Sequence, residues 1–152
     1  IQLYTDAAGN PGKNVRDWLY VDDHCSAIER VLRDGVPGET YCIGGNCELS
    51  NFDLIGRILA ILSTLTGNRY SMENSVEYVE DRPGHDRRYA MDFNKIHSAL
   101  GWEPRFSLES GLNTTLEWYL SDNGARWLVS LSGAADDVRK GQGKAFQSDI
   151  SQ

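Results

Sequence analysis

The feature of this sequence that most constrains its fold is the alternation of short strand-like segments with amphipathic helical segments. Residues 1–4, 15–21, 40–43 and 76–79 are rich in β-branched and aromatic residues, which predicts four short strands. Apolar residues at helical spacing predict about four helices between and after these strands. Glycine or proline closes most of the segments. The sequence therefore predicts a mixed α/β chain with short strands and about four helices.

Capping residues set the predicted helix boundaries. In chain order, the start and stop signals are Asp22–Asp23 to Gly35, Ser50 with Asp53 to Gly67, Asp92 or Phe93 to Gly101, and Ser107 onward. The predicted apolar face of the first helix consists of Ala27, Ile28, Val31 and Leu32.

Composition excludes several classes of protein. The net charge of −7 argues against a nucleic-acid partner, because phosphate backbones require clustered Lys and Arg. Three cysteines without a CxxC pair, and three scattered histidines, predict neither a disulfide framework nor a metal site. Reduced cysteines indicate a cytoplasmic protein. No apolar run approaches the roughly 20 residues of a membrane span, and no signal peptide is visible.

The first and last residues of the chain lead to two different predictions. The sequence has no initiating Met and begins within an apolar, strand-like segment, which is typical of a fragment of a longer protein. Residues after about Trp127 are mostly small and polar. We therefore interpret 1–127 as the packed part and 128–152 as a flexible tail.

The densest cluster of positive charge lies in the segment 81–89, which reads DRPGHDRRY. Arg presents a planar fork that matches phosphate oxygens, and a turn held at both ends positions such groups well. Arg82 and His85 are therefore candidate ligands for an anion. The alternative is a surface turn whose Arg side chains pair with Asp81, Asp86 and Asp92.

Two other polar residues are candidates for the same role. Arg16 lies within a predicted strand between Val15 and Trp18, so it either pairs with a distant acid or binds an anionic ligand. Asn51 follows a strand and the Gly44–Gly45 turn at the start of a helix, where anions are favoured. The alternative for Asn51 is an ordinary helix cap.

Motifs for several kinds of chemistry are missing from the sequence. It has no GxGxxG loop for a dinucleotide and no GxxxxGK[ST] loop for a nucleotide triphosphate. It also has no Tyr followed four positions later by Lys, and no Ser, His and Asp arrangement with motif-level support. We assign no catalytic residue.

Four phrases together resemble the dTDP-glucose 4,6-dehydratases of the extended short-chain dehydrogenase/reductase superfamily. The segment 14–24, NVRDWLYVDDH, is similar to the family's NVRDWLYVEDH, and 38–45, GETYCIGG, to GETYNIGG. The segment 81–90 reproduces DRPGHDRRYA, and 100–104 with 109–111 and 117–120 resembles the family's closing helices. The resemblance covers about residues 1–127.

This resemblance implies the C-terminal, substrate-binding part of an extended dehydrogenase/reductase, a branch of the NAD(P)-binding Rossmann-fold superfamily, without its N-terminal Rossmann core. Family members convert dTDP-glucose to dTDP-4-keto-6-deoxy-glucose in deoxysugar (dTDP-rhamnose) synthesis. By resemblance, Arg16, Asn51, Arg82 and His85 contact the substrate diphosphate, and Tyr4 lies near the thymidine. NAD and the acid–base groups belong to the N-terminal half, and full-length members are homodimers.

Three hypotheses follow. The first is a dehydratase fragment that binds dTDP-glucose only when joined to its NAD-binding half and is inactive alone. The first helix then packs on the absent half, so its apolar face is partly bare. The second is a stand-alone nucleotide-sugar-binding module or pseudo-enzyme. The third is part of a related enzyme, a dehydratase or epimerase, acting on a UDP- or CDP-sugar.

Overall fold

A computed structural model describes residues 1–5 and 9–130 of the chain. The elements in chain order are β1 (Gln2–Thr5), β2 (Val15–Asp17), α1 (Val21–Asp34), β3 (Glu48–Ser50), α2 (Asn51–Thr66), α3 (Met72–Ser75), β4 (Glu77–Glu80), α4 (Asn94–Leu100) and α5 (Leu108–Leu120). Residues 122–130 are also helical. The predicted mixed α/β architecture with short strands is confirmed.

The strands form two separate pairs. Strand β1 pairs in parallel with β4, with Leu3 opposite Tyr78 and Tyr4 opposite Val79. Strand β2 pairs antiparallel with β3, with Arg16 opposite Leu49. Each pair joins segments that are distant in sequence, and the parallel pairing of β1 with β4 brings the segments that follow these two strands to the same edge.

The chain divides into two compact units, 1–114 and 115–152. The first unit contains two small apolar cores. One consists of Leu3, Ile55 and Leu59, with partly buried Phe52, Met72 and Val76 packed against it. It places α2 against β1, which positions the start of α2.

The second core consists of Ala27, Ile96 and Trp102. Ile96 is fully buried and Trp102 is 5% exposed. The indole Nε1 of Trp102 donates to Ser26 Oγ at 2.9 Å, so the polar atom of this large side chain is satisfied. This core holds α1 and α4 together.

A buried carboxylate joins α1 to the loop before α5. Asp23 is fully buried, and its two oxygens accept hydrogen bonds from Arg105 N and Phe106 N, each at 3.0 Å. The sequence had suggested that Asp22–Asp23 caps α1, but the helix starts at Val21, with Tyr20 as the N-cap residue and no side-chain cap. Asp23 instead anchors a loop from 82 residues further along the chain.

Most of the predicted helix ends are confirmed. Ser50 caps α2 by accepting from Asp53 N at 3.1 Å, and Ser107 accepts from Ser110 N at 3.1 Å. Gly67 and Gly101 end α2 and α4 with φ of 70° and 66°. These values lie in the left-handed region, which favours glycine.

Two predicted strands differ in the structure. The strand predicted over 15–21 ends at Asp17, since the chain enters α1 at Val21. The segment 40–43 forms no strand, because no strand among the described residues pairs with it. The side chains of Tyr41 and Ile43 instead pack against the second core. The strand β3 and the short helix α3 were not predicted.

The predicted apolar face of α1 is only half buried. Ala27 is fully buried, whereas Ile28 is 51% and Leu32 84% exposed. This exposure agrees with the expectation that part of this face is bare.

The second unit is described as far as residue 130. Trp118, Tyr119 and Trp127 contact one another edge to face, with ring centroids 5.0 to 5.9 Å apart. The predicted flexible tail, 128–152, lies outside the described residues from 131 onward. Among the described helices, none is long and apolar enough to cross a membrane.

Candidate anion-binding site

Backbone hydrogen bonds hold the Arg-rich turn against β2. Val15 N donates to Arg87 O at 2.8 Å, and Tyr89 N donates to Val15 O at 3.1 Å. The side chain of Asn14 adds a bond from Nδ2 to Asp86 O at 3.2 Å. The loop that follows β4 is therefore fixed beside Arg16.

Arg16 lies at the centre of this arrangement. Its Nη1 donates to Val15 O at 2.7 Å, while Nη2 donates to Asp86 O at 3.0 Å and contacts His85 Nε2 at 2.9 Å. Its guanidinium carbon lies 4.5 Å from the centroid of the Tyr89 ring, a cation–π contact. No acid of the described residues forms an ion pair with Arg16, and these contacts hold its guanidinium in place.

His85 is the best-enclosed member of the turn. Its side chain is 8% exposed, and Nδ1 lies 2.6 Å from Asp81 Oδ1. Tyr4 contacts the imidazole edge to face, with ring centroids 5.4 Å apart. The structure thus brings Arg16, His85 and Tyr4 together, although they belong to three separate segments.

Asn51 begins α2 beside the same strand pair. Its backbone N donates to Asn14 O at 3.0 Å, and its side-chain Oδ1 is buried with no hydrogen-bond partner among the described residues. A buried polar atom of this kind implies a missing partner. The residue itself lies at the N-terminal end of α2, where the helix dipole favours negative charge.

The arginines of the turn have different environments. Arg88 pairs with Glu48, with Nη2 2.6 Å from Oε1, and this hydrogen bond lowers the pKa of Glu48. Arg88 thus follows the ion-pair alternative, though with an acid the sequence had not indicated. Arg82 and Arg87 are exposed and form no ion pair with acids of the described residues. The structure places Arg82 on the same turn as His85, and none of the Arg16 hydrogen bonds goes to Arg82.

Tyr89 closes the turn from the other side. Its hydroxyl donates to the Asp86 carboxylate, and this hydrogen bond raises the pKa of Tyr89. Both Tyr89 and Asp81 lie in the segment that the sequence pointed to, but neither was a candidate for the anion site. The signal that could have found them is local: both lie within four residues of His85 in the one segment dense in Arg.

The Gly44–Gly45 turn is occupied by the protein's own carboxylate. Gly45 N and Cys47 N donate to the two oxygens of Asp17 at 2.9 and 2.8 Å. A Cβ on Gly45 would lie 2.1 Å from Trp18 O, so the glycine is required by internal packing. These residues therefore do not fit a dinucleotide pyrophosphate. Within the described ranges, no group of three His, Cys, Asp or Glu side chains could hold a metal ion.

The family model of GDP-mannose 4,6 dehydratase matches residues 5–115. The chain belongs to this family. Among curated relatives of this family, dTDP-glucose 4,6-dehydratase 1 of Escherichia coli K12 is 45% identical over 141 residues, which are 93% of this chain and 36% of that protein. The chain therefore spans about a third of the length of that family member.

Solved structures of the family's relatives agree with this placement. DesIV, a dTDP-glucose 4,6-dehydratase from Streptomyces venezuelae solved with NAD bound, superposes with a TM-score of 0.70 at 42% identity, over 82% of this chain and 35% of that one. UDP-glucose 4-epimerase of Thermotoga maritima, solved with UDP-glucose, superposes with a TM-score of 0.62 at 30% identity, over 78% of this chain and 34% of that one. The predicted resemblance to dTDP-glucose 4,6-dehydratases and to the extended dehydrogenase/reductase fold is confirmed.

The environments of the three cysteines predict that they differ in reactivity. Burial, followed by the nearby Asp17 carboxylate, raises the pKa of the Cys47 thiol, whereas Cys25 and Cys42 are exposed. A raised pKa means less thiolate at pH 8, and the thiolate is the reactive form. We expect iodoacetamide to label Cys47 more slowly than Cys25 and Cys42, as measured by peptide mass spectrometry. Labelling of Cys47 first would contradict this environment.

Proposed function

We propose that this chain is the nucleotide-sugar-binding part of a dTDP-glucose 4,6-dehydratase. Arg16, Asn51, Arg82 and His85 bind the substrate diphosphate, and Tyr4 lies beside the nucleoside. The observation that carries the proposal is the Arg16 guanidinium, which packs against Tyr89 and contacts His85 and forms no ion pair with an acid of the described residues. The confirmed relationship to dTDP-glucose 4,6-dehydratases supports dTDP-glucose as the substrate.

The charges of the site suit a diphosphate. Arg16 and Arg82 lie on separate segments, β2 and the turn after β4, and can contact the two phosphates from different sides. Asn51 adds a side-chain amide at the N-terminal end of α2, where the helix dipole favours negative charge. The chain as a whole is acidic, so this local positive charge gives the anion a defined place to bind.

The remaining parts of the proposal concern the complete enzyme. NAD accepts a hydride from the sugar and returns it, and it is bound by a part of the enzyme outside this chain. The described residues supply substrate binding and no acid–base pair for dehydration. The 152-residue chain alone is thus proposed to be inactive. As part of the enzyme it acts in the cytoplasm within a homodimer.

Titration calorimetry of the purified chain tests the binding proposal. Because the contacts that hold Arg16 and His85 lie within this chain, we expect dTDP to bind without the NAD-binding half, with a dissociation constant on the order of micromolar. Glucose 1-phosphate, which has a single phosphate, is expected to bind at least about tenfold more weakly, because it engages only one side of the site. Absence of dTDP binding at about 1 mM would overturn the proposed function.

Two further measurements separate the alternatives. Competition between dTDP and UDP distinguishes a dTDP-sugar enzyme from a UDP-sugar relative, and we expect dTDP to displace UDP. An assay of dTDP-glucose dehydration with added NAD should detect no turnover, since this chain provides neither the NAD site nor the acid–base groups. Measurable turnover would show that the chain is catalytically complete.

A further inference from the structure

The two ring contacts of His85 select one tautomer of its imidazole. Arg16 Nη2 lies 2.9 Å from His85 Nε2, and a guanidinium nitrogen can only donate. Nε2 must therefore be the unprotonated acceptor. The ring proton is then on Nδ1, which lies 2.6 Å from Asp81 Oδ1. Both contacts are satisfied by one form of the ring, the neutral tautomer protonated on Nδ1.

Asp81 is placed to enforce this form. Its Oδ1 accepts from His85 Nδ1 and also from Arg82 N at 2.9 Å, while His85 N donates to Arg82 O at 3.3 Å. The carboxylate thus ties the imidazole to the backbone of its own turn. In histidine sites generally, the hydrogen bond made by one ring nitrogen decides what the other can do.

We propose that Asp81 is a positioning residue of the anion site. Its carboxylate holds His85 as the Nδ1-protonated tautomer, so that Nε2 accepts from Arg16 and keeps the guanidinium directed into the site. Without Asp81, the Nε2-protonated tautomer becomes available. Nε2–H would then face an N–H of Arg16, and the two donors would repel each other. The effect on the ligand rests on the proposed function, whereas the tautomer of His85 does not.

The geometry of the loop makes Asp81 specific for this role. Asp86 is in the same turn, but its carboxylate accepts from Tyr89, and only its backbone carbonyl reaches Arg16. Glu80 is exposed and lies on β4, immediately before Asp81. It supplies a matched negative charge without the hydrogen bond to His85.

Nitrogen-15 NMR of the imidazole in the ligand-free chain at about pH 8 tests the tautomer directly. We expect protonation on Nδ1 in the parent protein, in Asp81→Asn and in Glu80→Ala, because an asparagine oxygen can still accept from Nδ1. In Asp81→Ala we expect the signal to move to the Nε2-protonated form. Protonation on Nε2 in the parent protein, or an unchanged tautomer in Asp81→Ala, would overturn the proposal.

Calorimetry with dTDP provides the second readout. We expect Asp81→Ala to lose about tenfold in affinity, Asp81→Asn no more than about threefold, and Glu80→Ala to match the parent protein. Equal loss in Asp81→Ala and Glu80→Ala would show that only charge matters and would overturn the positioning role. If the parent protein does not bind dTDP, the proposed function fails, and the NMR result still decides the role of Asp81 toward His85.

Discussion

Replacement of Arg16 by alanine is expected to weaken dTDP binding by about 100-fold, the largest effect of any single substitution in the site. The guanidinium makes contacts with Val15 O, Asp86 O and His85 Nε2, and it lies over the Tyr89 ring. Truncation removes the positive charge and also leaves His85 Nε2 without its donor. Arg16→Lys keeps the charge but loses the planar fork, so we expect it to recover only part of the affinity.

Arg87→Ala is the matched control for this prediction. Arg87 is on the same turn, and its exposed side chain forms no ion pair with acids of the described residues. Its structural contribution is the carbonyl that accepts from Val15 N, which alanine preserves. We expect a change of no more than about threefold for Arg87→Ala, mainly from reduced long-range attraction. Equal losses of dTDP affinity in the two variants would mean that the overall positive charge of the turn attracts the nucleotide, and not a specific binding site.

Replacement of Asp23 by alanine is expected to lower the free energy of unfolding by about 3 kcal/mol. The carboxylate is fully buried and satisfies two backbone N–H groups, those of Arg105 and Phe106. Alanine leaves both donors without partners and opens a cavity beside the second core. Asp23→Asn retains one acceptor oxygen, so its loss should be intermediate. Urea unfolding followed by circular dichroism measures these differences.

Asp22→Ala separates the buried role from the effect of a negative charge in the first turn of α1. Asp22 and Asp23 are both in that turn, and Asp22 is exposed. The two alanine variants, Asp22→Ala and Asp23→Ala, each lose a favourable interaction with the helix dipole that is worth about 0.5 kcal/mol. We expect Asp22→Ala to change stability by no more than that amount. A comparable loss in both variants would show that Asp23 acts through the helix dipole and not as an anchor for the loop.

The sequence predicted the elements whose signals are local. Ser50 and Ser107 cap helices, and Gly67 and Gly101 end them, because a cap depends on a few neighbouring residues. The segment 40–43 has strand-like residues but forms no strand, because strand formation depends on a partner that composition does not show. Asp23 was misjudged for the same reason, since its hydrogen-bond partners lie far away in sequence.

For the candidate site as well, the sequence predicted individual residues but not the contacts between distant segments. Arg16, Asn51, Arg82, His85 and Tyr4 could be selected from residue type and family resemblance, and they remain predictions until binding is measured. What the sequence could not show is the set of contacts among them: Arg16 with His85, His85 with Asp81, and Tyr89 under the guanidinium. It also could not show that Asp17 fills the Gly44–Gly45 turn, which had looked suited to an anion.

The parallel pairing of β1 with β4 has a consequence for the order in which this chain folds. Gln2 pairs with Glu77, so β2, α1, β3, α2 and α3 all lie between the two partners. Closing so long a loop lowers the chain entropy before the contacts between β1 and β4 can offset that loss. Helices α1 and α2, in contrast, can form from local interactions. Tyr4 and His85 meet only once that loop has closed. We therefore expect helical signal to return early during refolding and nucleotide binding to return last.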